Sequence, residues 1–192
     1  VDWGVSTDTL FYVFDTPLNA QETQGEYVGF FTYPSNGTYQ ISYQDTYRVV
    51  GINNIVNSQL ETLALNNTLV INPFLGNNSL PQLFYNPNNI IESNGTYIID
   101  PNIVDADGDS LYFKLINSTG SGYYTPQVTS IDSLTGIVTT TPDTIGVYDY
   151  VIEVEEYRNA VFIGSAVFEF VVNINTVVGI EDILNNDKIN IY

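Results

Sequence analysis

The sequence predicts an all-β protein built from two tandem antiparallel β-sandwiches. Short apolar and aromatic segments have the length of strands, and clusters of Asn, Gly, Ser, Thr and Pro separate them. A helical period is nearly absent, because the one candidate, residues 57–65, is short and consistent with a single turn. A repeated motif, described below, divides the chain into two units.

The predicted strands share a high content of aromatic and β-branched residues. They cover residues 9–14, 27–31, 68–71, 110–116, 148–154 and 168–174.

An internal repeat indicates two domains. The segment 31–48 recurs as 140–158, with Gly37 matching Gly146 at an offset of 109 (146 − 37) and the closing arginines at an offset of 110 (158 − 48). A bulge or a loop difference would produce the one-residue slip. The offset is the length of one sandwich domain and is too long for a solenoid repeat.

The repeat sets the predicted boundaries. Residues 1–74 form a first domain that is incomplete at its N-terminus, and residues 75–175 form the second, with 73–82 as the connection between them. Residues 176–192 are predicted to be a linker that leads into a further segment.

The first unit resembles a PKD-type immunoglobulin-like domain. The resemblance rests on Val1-Asp2-Trp3-Gly4 and on the stretch 31–42, which reads Phe-Thr-Tyr-Pro-Ser-Asn-Gly-Thr-Tyr-Gln-Ile-Ser. It implies an immunoglobulin-like sandwich in which Trp3 and Tyr39 are core residues.

The second unit resembles a cadherin-like, dystroglycan-type immunoglobulin-like domain. Four elements carry this resemblance in order: Ile99-Asp100-Pro101, then 105–113, then 131–138, and finally Gly146-Val147-Tyr148 onward. Domains of this family occur as tandem extracellular modules, so neighbouring immunoglobulin-like domains of the same chain are the expected partners.

The last seventeen residues resemble the opening of the C-terminal sorting domain that the type IX secretion system of Bacteroidota reads. The resemblance rests on Val178-Gly179-Ile180-Glu181, a polar stretch, and Ile189-Asn190-Ile191-Tyr192. It implies export to the cell surface or beyond, with the secretion machinery as a partner. An ordinary polar linker that ends in a strand is the alternative.

Composition agrees with an extracellular location and excludes several function classes. The chain has no Cys and no His, which removes disulfides, Ser-His triads and the commonest transition-metal ligand. With 22 acidic against 4 basic residues, the formal charge of −18 disfavours nucleic acid. The apolar runs are strand-sized, so no membrane-spanning segment is predicted. No nucleophile elbow, phosphate loop or HExxH helix is present, and we expect a non-enzymatic protein.

Asp105, Asp107 and Asp109 are the best candidate site. Alternating residues of an extended segment point to one side, and Gly108 lets the backbone curl so that the carboxylates converge. An oxygen-only cluster suits Ca²⁺, and Asp100, Glu153 and Glu155 are candidates for further ligands, with Asp100 and Glu155 preferred. The alternative is a polar turn in which Asp side chains accept backbone N–H groups.

The predicted function is that of a structural or adhesive segment of a large secreted surface protein, such as a stalk, an adhesin or a fibre. Surface glycans or like subunits are further candidate partners. The alternative is an accessory, non-catalytic or carbohydrate-binding region of a secreted enzyme.

Overall fold

The computed structural model describes residues 1–17, 23–46, 48–84, 90–126 and 128–175. These residues form an all-β structure with thirteen strands and one 3₁₀ turn, Ser58–Leu60, inside the segment predicted to form a single turn. The predicted sorting segment, 178–192, lies outside the described residues.

The strands of the described residues are β1 (Phe11–Pro17), β2 (Thr23–Val28), β3 (Gly37–Asp45), β4 (Leu63–Ile71), β5 (Gln82–Leu83), β6 (Ile90–Ser93), β7 (Thr96–Ile99), β8 (Ile103–Val104), β9 (Ser110–Ile116), β10 (Ser130–Ile131), β11 (Val138–Thr140), β12 (Gly146–Arg158) and β13 (Val161–Ile174).

Two antiparallel sheets enclose the core of the second unit. One has the strand order β10-β11-β7-β6, and the other has the order β3-β4-β13-β12-β9. Their facing side chains form a buried cluster that includes Ile99 of β7, Val138 of β11, Phe113 of β9 and Tyr150 of β12. The apolar residues that alternate along these strands therefore meet between two sheets, as in a sandwich.

The β12–β13 hairpin is the longest element of the structure. Tyr148, Tyr150, Ile152 and Val154 of β12 are all buried, which identifies the even-numbered face of this strand as the core face. The residue that continues this face is Glu156. A register shift between Glu156 and Tyr157 leaves Ile163 of β13 as the extra, bulged residue.

The internal repeat has the same local structure in both copies. The Tyr39 hydroxyl donates to the Ser35 carbonyl at 2.8 Å, and the Tyr148 hydroxyl donates to the Thr144 carbonyl at 2.8 Å. Such a tyrosine, bonded to the backbone four residues upstream, is a tyrosine corner of the kind found in immunoglobulin-like sandwiches. The copies then diverge, because β3 ends at Asp45 whereas β12 continues to Arg158.

The two predicted units share one sheet. β4 pairs with β13 through Gly164 opposite Leu69 and Ser165 opposite Thr68. A Cβ atom on Gly164 would lie 2.9 Å from the Thr68 carbonyl oxygen, so the close approach of these strands requires glycine.

A loop of the first unit also covers an edge of the second. β9 pairs with β12 only from Val151 onward, and the segment beginning at Ile52 lies beside the earlier residues of β12. The Asn53 N–H donates to the Val147 carbonyl at 2.7 Å. The buried Asn54 amide donates to the Asp149 carbonyl at 2.8 Å and accepts from its N–H at 2.9 Å.

The aromatic residues of the first unit stack at half-buried positions. Trp3 lies 5.8 Å from Phe31, Phe31 lies 4.9 Å from Tyr33, and Tyr33 lies 4.3 Å from Tyr39, measured between ring centroids. Trp3 and Tyr39 thus contribute to a packed aromatic row, but among the described residues before Ile52 no hydrophobic residue is fully buried. The fully buried core belongs to the second unit and to the loop that begins at Ile52.

Candidate functional site

The loop between β8 and β9 brings the three predicted aspartates together. One carboxylate oxygen from each of Asp105, Asp107 and Asp109 lies within 4.8 Å of the others. The Asp109 N–H donates to Asp105 Oδ1 at 2.7 Å, and the Ser79 N–H donates to Asp107 Oδ2 at 2.6 Å. The convergence predicted from the spacing is therefore present, and part of it is stabilised by backbone amides.

Arg158, at the end of β12, supplies a positive charge to this aspartate cluster. Its Nε donates to Asp109 Oδ1 at 2.8 Å, its Nη2 donates to Asp109 Oδ2, and Nη2 lies 3.6 Å from Asp107 Oδ2. The bidentate contact holds the pKa of the Asp109 carboxyl below its usual range. One guanidinium thus pairs closely with Asp109 and also lies near Asp107.

The same guanidinium binds the connection between the two units. Its Nη1 donates to the carbonyls of Leu75 and Asn77 at 2.7 and 2.8 Å, and its Nη2 donates to Asn78 Oδ1 at 3.0 Å. Arg158 therefore fixes the connecting segment against the aspartate cluster.

Glu156 is the acid that completes this cluster. Its side chain is 0% exposed, and Asn78 Nδ2 donates to its Oε2 at 2.6 Å. Its Oε1 and Asp105 Oδ2 are both buried without a hydrogen-bond donor. Burial raises the pKa of Glu156 to about 7, with Asp105 adding to the rise. Two buried acceptor oxygens without donors are a site for a shared proton or a cation.

The other predicted ligands lie elsewhere. Asp100 Oδ1 accepts the Asn102 N–H at 2.8 Å in the turn after β7. Glu155 pairs with Lys114 and accepts the Tyr157 hydroxyl at 2.9 Å, and the Lys114 contact lowers its pKa. Glu153 lies opposite Lys114 in the β9–β12 register. None of the three belongs to the aspartate cluster within the described residues.

The sequence contained a signal for Glu156 that the prediction did not use. The prediction considered Glu153 and Glu155 as ligands and left out Glu156, although the even-numbered residues of this strand are apolar up to Val154. An acid that continues an apolar face is buried, and a buried acid requires a partner.

A second charged cluster, which the sequence did not predict, surrounds Arg48. The Arg48 side chain is only 3% exposed and forms two hydrogen bonds to Glu169 of β13. Its Nη1 also lies 3.5 Å from Asp149 Oδ2 of β12. Ser118 Oγ and Thr119 Oγ1 each accept a hydrogen bond from the guanidinium at 2.9 Å.

Asp149 and Glu169 share this single guanidinium. Burial raises the pKa of both carboxyl groups, and the nearby charge of Arg48 opposes the rise. The two acids and Arg48 border a cavity of about 160 Å³, which is smaller than the roughly 300–1,000 Å³ typical of ligand sites. The arrangement suits an internal ion cluster better than a substrate pocket.

The chain matches no family model, no curated protein and no solved structure. Among the residues that the structure describes, no helix is long and apolar enough to cross a membrane.

Proposed function

We propose that this chain is a non-catalytic structural and adhesive module of a large secreted cell-surface protein, exported by type IX secretion. In this proposal its two units are immunoglobulin-like domains of a stalk, an adhesin or a fibre. The resemblances of both units and of the C-terminal segment to such proteins motivate it. The observation that carries it is the mechanical connection between the two units.

That connection has three parts. β4 extends the sheet of β13, Arg158 binds the connecting segment at Leu75, Asn77 and Asn78, and Arg48 enters a cluster with Asp149 and Glu169. Backbone pairing and buried ion pairs resist separation, whereas a flexible linker would not. Such a connection suits a protein that transmits force between domains.

Single-molecule pulling of residues 1–175 between reporter domains tests the mechanical proposal. We expect one main unfolding event for the wild type. Gly164→Val should lower the unfolding force or split the event, because the new side chain would press on the Thr68 carbonyl. Val161→Thr, at the exposed start of β13, is the matched control and should leave the trace unchanged. Extension of the wild type in two independent low-force steps would contradict a force-transmitting role.

Secretion is tested separately in the cells that produce the protein. Protease shaving should release the intact protein from the surface, whereas a chain that ends at Asn175 should accumulate in the periplasm. Normal surface display of that truncation would rule out a sorting role for residues 176–192.

We further propose that the aspartate cluster binds Ca²⁺. The donor set fits a hard cation, because the carboxylates of Asp105, Asp107 and Asp109 converge and the neighbouring Glu156 interacts with Asp105. One oxygen of Asp105 and one of Glu156 are buried without donors. Arg158 already neutralises Asp109, so the ion would neutralise the remaining acids. The role of the ion would be structural, since it would stabilise the β8–β9 loop against Ser79 and Asn78.

Calcium binding is tested by thermal unfolding and isothermal titration in millimolar calcium and in chelator. A gain of roughly 2.7 kcal/mol is expected when calcium exceeds Kd about 100-fold. Asp107→Asn should abolish the gain, while Asp100→Asn, a predicted ligand that lies outside the cluster, should retain it. No binding heat and no change in melting temperature would leave Arg158 and a shared proton as the sole neutralising groups.

A carbohydrate-binding accessory region of a secreted enzyme is the second candidate. An open groove of about 600 Å³ on the outer face of β9 and β12 supports it, with Tyr112, Tyr157, Lys114 and Glu155 along its walls. Tyrosine rings beside a charged pair can stack on a sugar and hydrogen-bond its hydroxyls. A glycan array tests this candidate. Binding that Tyr112→Ala abolishes would favour it over the adhesive module.

A further inference from the structure

The β1–β2 ribbon is the least covered element among the described residues. β1 and β2 pair with each other, and neither strand is hydrogen-bonded to any other described strand. Within the described part of the chain, both outer edges of the ribbon are therefore without a neighbouring strand. A two-stranded ribbon by itself is at best marginally stable in water, so it gains from an additional strand.

The ribbon has two aromatic faces because of its bulge. The register shift between Tyr12 and Phe14 places Phe14 opposite Glu26 and Asp15 opposite Gly25. Paired residues share a face and neighbours on β2 alternate, so Tyr12, Tyr27 and Asp15 lie on one face. Phe11, Phe14 and Glu26 lie on the other face.

The tyrosine face is a preassembled aromatic and acidic surface. Tyr12 and Tyr27 contact edge to face with ring centroids 5.7 Å apart, and they are 56% and 58% exposed. A Cβ atom on Gly25 would lie 3.2 Å from the Tyr27 ring and 3.3 Å from Asp15 Oδ1, which places this carboxylate beside the rings. Aromatic faces beside a carboxylate favour a cationic group.

The phenylalanine face is the apolar counterpart. Phe11 and Phe14 are 69% and 48% exposed on this face, although rings of this size are usually buried. Glu26 is the acid nearest to them in the register.

The charge of the ribbon and of the whole chain indicates which partner these two faces would bind. No Lys or Arg occurs in residues 1–46, whereas the ribbon carries Asp15 and Glu26. A second copy of this chain, with a formal charge of −18, would bring like charges together.

We propose that the β1–β2 ribbon binds an extended, basic segment of a partner protein, which adds as a third strand. Its backbone would pair with a free edge of the ribbon, as in β-strand addition. Its side chains would alternate, with Lys or Arg over Tyr12, Tyr27 and Asp15 and apolar residues over Phe11 and Phe14. The backbone ladder supplies affinity, and the two faces supply selectivity for an alternating basic and apolar sequence.

The test uses three synthetic peptides against residues 1–175, monitored by isothermal titration and by amide chemical shifts. The first peptide alternates Lys with Val or Ile, the second replaces every Lys by Glu, and the third repeats the first with alternate backbone nitrogens methylated. We expect binding of the first peptide only, with affinity that falls as salt rises. The shift changes should map to β1 and β2.

Protein variants locate the binding surface. The double variant Tyr12→Ser with Tyr27→Ser should lower the affinity for the basic peptide by at least about tenfold. Asp15→Asn should reduce the salt dependence of that affinity. Phe74→Ser, at an aromatic residue that is 94% exposed and lies outside the ribbon, is the control and should bind as the wild type does. Unchanged thermal unfolding of the variants would show that the sandwich core is intact.

Several results would overturn the proposal. One is an acidic or methylated peptide that binds as tightly as the basic peptide, and another is a double tyrosine variant that keeps the wild-type affinity. The others are absence of binding of the basic peptide at millimolar concentration and self-association of the wild type through the ribbon in sedimentation experiments. Binding of neutral oligosaccharides in place of the basic peptide would identify the ribbon as a glycan platform instead.

Discussion

Arginine is scarce in this chain, and each of its two arginines serves more than one carboxylate. Arg158 contacts Asp107 and Asp109, while Arg48 contacts Asp149 and Glu169. The planar guanidinium suits this role, because its five donors can bind two carboxylates and backbone carbonyls at once. Arg48, from the first unit, binds residues of the second unit, and Arg158 binds the segment that connects the two units.

Loss of Arg48 should be among the most destabilising single changes. Arg48→Met would leave Asp149 and Glu169 buried without their cation, which we expect to cost about 3–5 kcal/mol of unfolding free energy. Urea denaturation at pH 7 measures this loss. The double variant Arg48→Met with Glu169→Leu should recover a large part of it, because the uncompensated charge is removed. A loss below about 1 kcal/mol for the single variant would show that the cluster is not buried in solution.

The Arg48 cluster should also make stability depend on pH. Burial raises the folded-state pKa values of Asp149 and Glu169 above their ordinary values of 3.8 and 4.5. The folded protein then holds protons that the unfolded chain releases, so these two acids make stability fall as pH rises from about 4 to about 8. Glu169→Gln removes one titrating group and should flatten the decline between pH 5 and pH 8 in urea titrations. Parallel slopes for wild type and variant would contradict a raised pKa of Glu169 in the folded protein.

At the scale of elements, the β12–β13 hairpin has an unusual turn. Asn159 and Ala160 have φ values of +52° and +64°, the conformation of a two-residue turn that normally requires Gly at its second position. In the β6–β7 hairpin, the equivalent positions are Asn94 and Gly95, with φ values of +53° and +78°. Ala160 therefore occupies a left-handed conformation that costs free energy.

Replacing this alanine should stabilise the protein. Ala160→Gly is expected to raise the free energy of unfolding by about 0.5–1 kcal/mol, since glycine adopts the turn conformation without the steric cost. Ala64→Gly in β4, where φ is not in the left-handed region, is the control and should be destabilising. Chemical denaturation of both variants measures the difference. A destabilised Ala160→Gly variant would indicate that Ala160 is not left-handed in solution.

Strand identity was predictable from local sequence, whereas strand ends and edges were not. The predicted segment 110–116 coincides with β9, but the segments at 148–154 and 168–174 are parts of the longer β12 and β13. Alternation of apolar residues identifies the face of a strand that meets a core. In β12 it ends at Val154, because the next residue on the buried face is Glu156. The ends of β12 and β13 extend beyond their apolar stretches because the strands pair with each other there.

For the whole molecule, the shared sheet couples the stabilities of the two predicted units. A fragment of residues 75–175 would lack Arg48, the Asn54 amide that covers β12, and β4 beside β13. We expect this fragment to be less stable than residues 1–175. By calorimetry, the transition of its core should move to lower temperature.

Charge neutralisation provides the control for this comparison. Asp149→Asn with Glu169→Gln in the fragment should recover part of the lost stability. With these substitutions the fragment, which lacks Arg48, no longer contains two buried acids without a cation. Two separate transitions in residues 1–175, one at the melting temperature of the fragment, would mean that the units unfold independently.

The amino-acid sequence alone determined the all-β class, the approximate positions of six of the thirteen described strands, the internal repeat and the convergence of Asp105, Asp107 and Asp109. These features depend on alternation, turn chemistry and close spacing, which act over a few residues. Tertiary contacts are needed to bring Glu156 to the aspartates, to pair Arg158 with Asp109, and to place Arg48 against Glu169, 121 residues away in the sequence. Ion pairs of this kind depend on which distant segments of the chain come into contact, and a local sequence pattern does not contain that information.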